Sequence, residues 1–150
     1  MAQSFDFKHA PGHLIRRAHQ FAVAVFMEET ADFDVTPVQF AILNAVMDAP
    51  GVDQVTLASQ VAFDAATSGS VIGRLEAKGW IRRVPDELDR RRKLLWLTAD
   101  GEAAAKKMKR VVGKVQSRIL GPLDAGEREQ LLALLGKLVS GHEGAQESSG

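Results

Sequence analysis

Residues 86–98 read Asp-Glu-Leu-Asp-Arg-Arg-Arg-Lys-Leu-Leu-Trp-Leu-Thr, or DELDRRRKLLWLT. An acidic lead and four consecutive basic residues run straight into an apolar stretch of strand character. Just upstream, Trp80 to Pro85 is WIRRVP. Two short apolar or β-branched runs flanking a charged segment predict a β-hairpin with a solvated, arginine-rich loop.

Outward from the hairpin, the period changes from two to about 3.6. Asp64 is a good N-cap for AATSGSVIGRLEAKG, a helix with Ser68, Val71, Ile72 and Leu75 inward and Gly79 at its end. Asp53 can cap the short helix QVTLASQVA before it, with Leu57, Ala58 and Val61 inward. Thr36 followed by Pro37 starts PVQFAILNAVMDA, with Phe40, Leu43 and Val46 or Met47 on one side. The first long helix is expected from His13 to about Ala31, with Leu14, Ala18, Phe21, Val25 and Phe26 as its apolar stripe. After the hairpin, Thr98 caps a helix from about Ala99 to Leu120. GPLDAG breaks it, and a leucine-dense helix runs from Glu127 to about Ser140 before a frayed tail. The fold class is mainly α (α+β).

Two short helices joined tightly form a helix-turn-helix, whose second helix enters the major groove of DNA. A hairpin directly behind it is a wing, whose loop reaches the adjacent minor groove. That groove is narrow and most negative over A·T-rich sequence, so it attracts arginine. Asp89 can hold a neighbouring arginine toward DNA; an exposed pair of this kind matters for position rather than stability. The other reading of the loop is an ordinary charged turn. The candidate DNA-binding set is Ala66, Thr67, Ser68, Gly69, Ser70 and Arg74 on the second helix, and Asp89, Arg90, Arg91 and Arg92 in the loop.

Charge distribution agrees. The chain carries 19 Lys/Arg and 19 Asp/Glu, yet residues 70–118 hold 14 basic and 6 acidic residues. Such a split suggests one region that meets a polyanion and another that does not; a solvated basic surface is the other reading. With 45% hydrophobic residues the chain can bury a core. It has no cysteine, which excludes disulfides, thiolate zinc sites and a cysteine nucleophile. No apolar run approaches membrane-spanning length, and the N-terminus lacks the pattern of a signal peptide, so a cytoplasmic protein is expected.

The order of helices, GRLEAKGWIRR leading into the loop, and DRRRKLLWLTADG together resemble a MarR-type winged helix-turn-helix regulator. The resemblance runs from about His13 to Ser140; its most specific part is Asp89, Arg90 and Arg91 followed by LWLT and Gly101. It implies that Arg91 is the minor-groove arginine and Asp89 its orienting acid. It also implies one domain over 1–150, with a DNA-binding lobe at about 36–98 and dimerisation helices at about 1–33 and 99–142. A homodimer, a palindromic operator and a small acidic or phenolic effector are further implications. One departure matters: the outward positions of the second helix are small, namely Ala65, Ala66, Thr67, Gly69, Ser70 and Gly73. Gly69 and Gly73 weaken a helix by roughly 0.5–1 kcal/mol each. Either the backbone approaches the groove closely, with Arg74 on a phosphate, or the glycines serve packing.

The first helix gathers His13, Arg16, Arg17, His19 and Gln20 within two turns. A buried arginine needs an anionic partner. That partner is either a carboxylate ligand or an acid such as Glu28, Glu29 or Asp124; otherwise the arginines face water. With Phe40 as an apolar wall, the cluster is a candidate ligand site. Together with TPVQFAIL it resembles MarR members that control catabolism of aromatic or heteroaromatic acids, with benzoate-, hydroxycinnamate- and nicotinate-type ligands as candidates. An enzyme is disfavoured: Ser70 in SGSVI lacks a nucleophile elbow, and no phosphate-loop or dinucleotide pattern occurs. His9 and His13 have a zinc-compatible spacing, but Pro11 and Gly12 stand between them, so neither metal nor cofactor is expected. A winged-helix protein-interaction module without sequence-specific DNA binding is the alternative function.

Overall fold

The computed structural model describes residues 4–61 and 64–147. It contains α1 (Pro11–Glu29), α2 (Pro37–Asp48), β1 (Val52–Asp53), α3 (Gln54–Gln60) and α4 (Ala65–Ala77), followed by β2 (Ile81–Pro85), β3 (Lys93–Leu97), α5 (Ala99–Ile119) and α6 (Ala125–Glu147). The chain divides into two units, Met1–Val115 and Gln116–Gly150. Expectations for residues 62 and 63, and for the side chain of Ala65, lie outside the described residues.

Side-chain caps set the helix starts in the first unit. The Thr36 hydroxyl accepts the Gln39 amide at 3.2 Å, and the Gln39 side chain accepts the Thr36 amide at 3.2 Å, with Pro37 in the first turn. Asp53 and Asp64 act alike. Each accepts the amide and the hydroxyl of the threonine three residues on: Thr56 at 2.9 and 2.6 Å, Thr67 at 2.8 and 2.8 Å. Each cap supplies an acceptor that the first turn of a helix lacks. Gly79, at φ +78°, closes α4, with its amide on the Glu76 carbonyl and the Trp80 amide on the Leu75 carbonyl.

The core of this unit joins Ile42, Leu43 and Val46 of α2 to Leu57 of α3, Ile72 and Leu75 of α4, Ile81 and Leu95 of the sheet, and Met108 of α5. The sheet is antiparallel, in the order β1-β3-β2. β2 and β3 pair from Ile81↔Leu97 to Pro85↔Lys93, and β1 adds Val52↔Leu95 and Asp53↔Leu94. Trp96 points to the face opposite the core and lies over Gly51, where φ is +83° and an added Cβ would sit 2.8 Å from the indole. Only glycine meets both requirements. α5 begins where the Thr98 amide returns to the Trp80 carbonyl and the Thr98 hydroxyl caps the Gly101 amide at 3.0 Å.

In the second unit, Asp124 and Glu127 form a reciprocal cap on α6, at 2.9 and 3.0 Å. Arg128 Nε donates to the carbonyls of Leu120 and Leu123, tying the preceding turn to the helix.

Three expectations change. α1 starts at Pro11, which occupies a first-turn position where its missing N–H costs nothing, so proline begins the helix instead of preceding it. Of the expected apolar stripe of α1, only Phe26 is buried, while Leu14 and Phe21 are exposed. α6 continues through Gly141 and Gly144 to Glu147, beyond the expected stop near Ser140. No described helix is long and apolar enough to cross a membrane.

Candidate nucleic-acid interface

Helices α3 and α4 and the β2–β3 hairpin belong to one unit. On α4, Ala66, Ser70 and Arg74 recur every fourth residue and are exposed, so they form one outward face. Thr67 is exposed beside them, but its hydroxyl donates to Asp64 and is thereby part of the cap. Ser68 does not belong to this face. Its side chain is 0% exposed, inside the core, and its hydroxyl has no hydrogen-bond partner among the described residues. A one-residue step on a helix rotates a side chain by about 100°, which takes Ser68 away from the surface shared by its neighbours.

The glycines of α4 have identifiable neighbours. A Cβ on Gly69 would lie 3.3 Å from Gln54 Nε2, and one on Gly73 would lie 3.4 Å from an Arg83 terminal nitrogen. Both positions make room for a polar layer in which Arg83 donates to Glu76 at 3.2 Å and to Gln54 at 3.5 Å. This supports the packing reading of Gly69 and Gly73.

The wing is closed by the Asp86 amide on the Arg92 carbonyl and the Arg92 amide on the Asp89 carbonyl, each at 2.9 Å. Within it, Asp86 accepts the Leu88 amide at 3.0 Å and Asp89 accepts the Arg91 amide at 3.1 Å. Such side-chain-to-backbone bonds two residues on fix a tight loop without an apolar core. Asp89 also accepts Arg91 Nε at 3.3 Å, the pairing expected from the sequence. The Arg91 side chain is 94% exposed, so the pair orients a cation that is otherwise in solvent. Arg90 is exposed as well.

Arg92 differs from its two neighbours. One terminal nitrogen binds Asp86 at 3.2 Å and the other binds Asp53 at 3.1 Å. It is tied to the lobe through both carboxylates, while about half of its side chain stays exposed. The Asp53 carboxyl is held down to about 2, first by the Thr56 hydroxyl and amide and then by Arg92. The Thr67 amide and hydroxyl likewise lower the Asp64 carboxyl. Sequence reasoning missed Arg83 and Gln54. Arg83 was visible in WIRRVP, but its partner lies 29 residues away and carries no sequence signal.

The α1 cluster lies at the surface of the single chain. Arg16, Arg17, His19 and Gln20 are exposed and His13 is half-buried. Their bonds are local: Arg16 with His13 at 3.0 Å, Arg17 with Gln20 at 2.7 Å, and Arg17 over the Phe21 ring at 5.0 Å. Phe40 packs instead against Phe26, with ring centroids 6.1 Å apart. Within one chain these arginines have neighbouring side chains of α1 as partners.

A capped helix pair followed by an arginine-tipped hairpin defines the winged helix-turn-helix class of DNA-binding transcriptional regulators. The model of the MarR family matches residues 33–92. The repressor NicR of Pseudomonas putida is 33% identical over 141 residues, covering 94% of this chain and 89% of that protein. The chain belongs to the MarR family. Among solved structures, Bordetella bronchiseptica BpsR, described for the regulation of its DNA binding by 6-hydroxynicotinic acid, superposes with a TM-score of 0.87. It is 34% identical and covers 91% of this chain and 98% of that one. An Escherichia coli MarR variant complexed with operator DNA gives a TM-score of 0.83 at 28% identity, over 91% and 99% of the two chains. The family and these relatives are transcriptional regulators, not enzymes.

Proposed function

We propose that this protein is a cytoplasmic repressor that binds a palindromic operator as a homodimer and is released by a small aromatic or heteroaromatic carboxylate. Benzoate-, hydroxycinnamate- and (hydroxy)nicotinate-type acids are the candidate effectors. The observation that carries the DNA-binding half is Arg91, held by Asp89 in the exposed loop of the wing that follows the capped helix pair. Ala66, Thr67, Ser70 and Arg74 then face the major groove, while Arg90 and Arg91 reach the minor groove. With few side chains on α4 able to form bidentate base contacts, much of the sequence preference comes from the wing and from groove shape.

Dimerisation is supported by two apolar surfaces that water covers poorly. One holds Phe5, Phe7, Leu14, Ile15 and Phe21; the other holds Leu132, Leu134, Leu135, Leu138 and Val139. Residues of about 1–33 and 99–142 form the dimerisation region in this reading. A partner chain would also remove His13, Arg16, Arg17, His19 and Gln20 from water. Two arginines then favour an anionic guest. BpsR, regulated by 6-hydroxynicotinic acid, supports a planar heteroaromatic acid as that guest. Operator and effector oppose each other by the same factor in both directions.

Selection of bound duplexes from random DNA, repeated with a panel of these acids, tests the reading. The expected product is a palindrome with half-sites roughly one helical turn apart, depleted by one class of acid. On that duplex Arg91→Ala should reduce affinity by about 1–3 kcal/mol and lower the salt slope by about one. An unselective pool, or full affinity for Arg91→Ala, refutes it.

A further inference from the structure

The three consecutive arginines of the wing sit in three different environments, and the third is bound to two carboxylates. We propose that Arg92 is a positioning residue for DNA recognition, a brace that sets the direction of the wing relative to the helix-turn-helix. The proposal rests on the reading of the hairpin as a DNA-contacting wing.

The geometry is that of a fork. Arg92 Nη1 binds Asp86 Oδ2 at 3.2 Å and Nη2 binds Asp53 Oδ2 at 3.1 Å. Asp86 follows β2 directly, at the root of the loop, and Asp53 caps α3. The Thr56 amide and hydroxyl hold the Asp53 carboxylate and the Leu88 amide holds that of Asp86, so both are oriented independently of the arginine. A planar guanidinium bridges two fixed oxygens; a lysine ammonium at the end of a flexible stem does not.

The other strand is tied at the same place. Arg83 of β2 reaches Gln54, the residue after Asp53, and Glu76 of α4. Both strands of the hairpin are therefore fastened to the first turn of α3. Between that turn and the hairpin lies a cavity of about 310 Å³, bordered by these arginines and by Val55, which is exposed. Apolar packing does not fill this space, so the polar ties set the angle of the hairpin beyond the sheet. Arg91, one residue away, inherits that angle.

Arg92 is also a poor direct ligand for phosphate. Its charge faces two carboxylates and both terminal nitrogens are engaged. The two roles predict opposite signs for loss of Asp86. If Arg92 contacts phosphate, removing a neighbouring anion frees it and strengthens DNA binding. If Arg92 is a brace, removing the anion releases the wing and weakens binding.

The test uses full-length protein and a duplex recovered by selection, with affinity measured across a salt series for Asp86→Asn, Arg92→Gln, the double variant and Arg91→Ala. Asp86→Asn should weaken binding about tenfold, the equivalent of ~1.4 kcal/mol, although it removes negative charge from a surface facing a polyanion. Its salt slope should match that of the parent, whereas Arg91→Ala lowers the slope by about one. Arg92→Gln should add little to Asp86→Asn, since both break one bridge. Parent-like or tighter binding by Asp86→Asn overturns the brace while leaving the wing reading intact, provided that Arg91→Ala is impaired. Full affinity for Arg91→Ala removes both. If Asp86→Asn melts below the assay temperature, Arg92→Lys is read in its place. It keeps the charge but cannot bridge two carboxylates, and the same tenfold loss is expected.

Discussion

Gly101 occupies the third position of α5, where the helix leaves the sheet, and the substitution Gly101→Ala isolates what that junction requires. A Cβ built there would lie 2.0 Å from the Trp80 carbonyl oxygen and 2.8 Å from its carbon. These are backbone atoms, and the same oxygen accepts the Thr98 amide at 3.0 Å, so no side chain can rotate aside. Relief requires α5 to move by more than 1 Å from the β2 strand end, at an overpacking cost of about 1–3 kcal/mol or more. Losing the Thr98 bond would add about 1 kcal/mol. Alanine returns up to ~1 kcal/mol through helix propensity. The net loss is about 1–3 kcal/mol, or a fall in Tm of roughly 2–12 °C for a chain of this size. Thermal unfolding by circular dichroism reads it directly. The control is Gly113→Ala in the same helix, where an added Cβ meets nothing within 4 Å. That variant should match or exceed the stability of the parent. If Gly101→Ala melts at or above the parent temperature, close approach is not what glycine provides there.

Ser68→Ala should raise stability by about 1 kcal/mol in a denaturant titration, because it removes a buried hydroxyl without a partner and improves helix propensity; a loss of stability would mean that the hydroxyl is bonded in solution. The acid limb should depend on Asp53. Its folded-state pKa of about 2 lies below the ordinary value of 3.8, so its contribution is complete above that value and is lost as pH falls toward 2. Asp53→Asn should lower stability at neutral pH by about 1–2 kcal/mol and flatten the decline between pH ~4 and ~2; an unchanged acid limb would refute that assignment.

The helices were legible because their signals are local. Thr36, Asp53 and Asp64 announce helix starts through the residues three positions on, and all three caps form as expected. The hairpin strands were legible for a similar reason. They switch period abruptly and enclose a loop without an apolar repeat. β1 was not legible, since two residues carry no periodicity and pair only through the distant partners Leu94 and Leu95. The end of α6 was misread because glycines suggested fraying, although a helix already nucleated tolerates them at about 1 kcal/mol each. The roles of the wing residues divide along the same line. Asp89 and Arg91 are two residues apart, so their pairing could be foreseen. Arg92 and Asp53 are separated by 39 residues, and nothing in either segment indicates the other. The α1 cluster stands apart: in the single chain Arg16 bonds His13 and Arg17 bonds Gln20 within one turn, and whether a second chain covers them carries no signal in either segment.

The carboxylate that starts α4 has an effect on grip. A helix N-terminus ordinarily offers unpaired amides and a partial positive charge to an approaching phosphate. Here Asp64 fills that place with a full negative charge, bound to the amide and hydroxyl of Thr67 and kept ionised by them. In the DNA-bound arrangement proposed above, the end of the helix that leads into the groove would turn a carboxylate, not free amides, toward the DNA backbone. Attachment is left to the arginines, whose hold is undone by modest shifts in posture or salt. On that reading the regulator would hold its site lightly, and a coupling of the usual ~1–3 kcal/mol between effector and operator would be enough to lift it off.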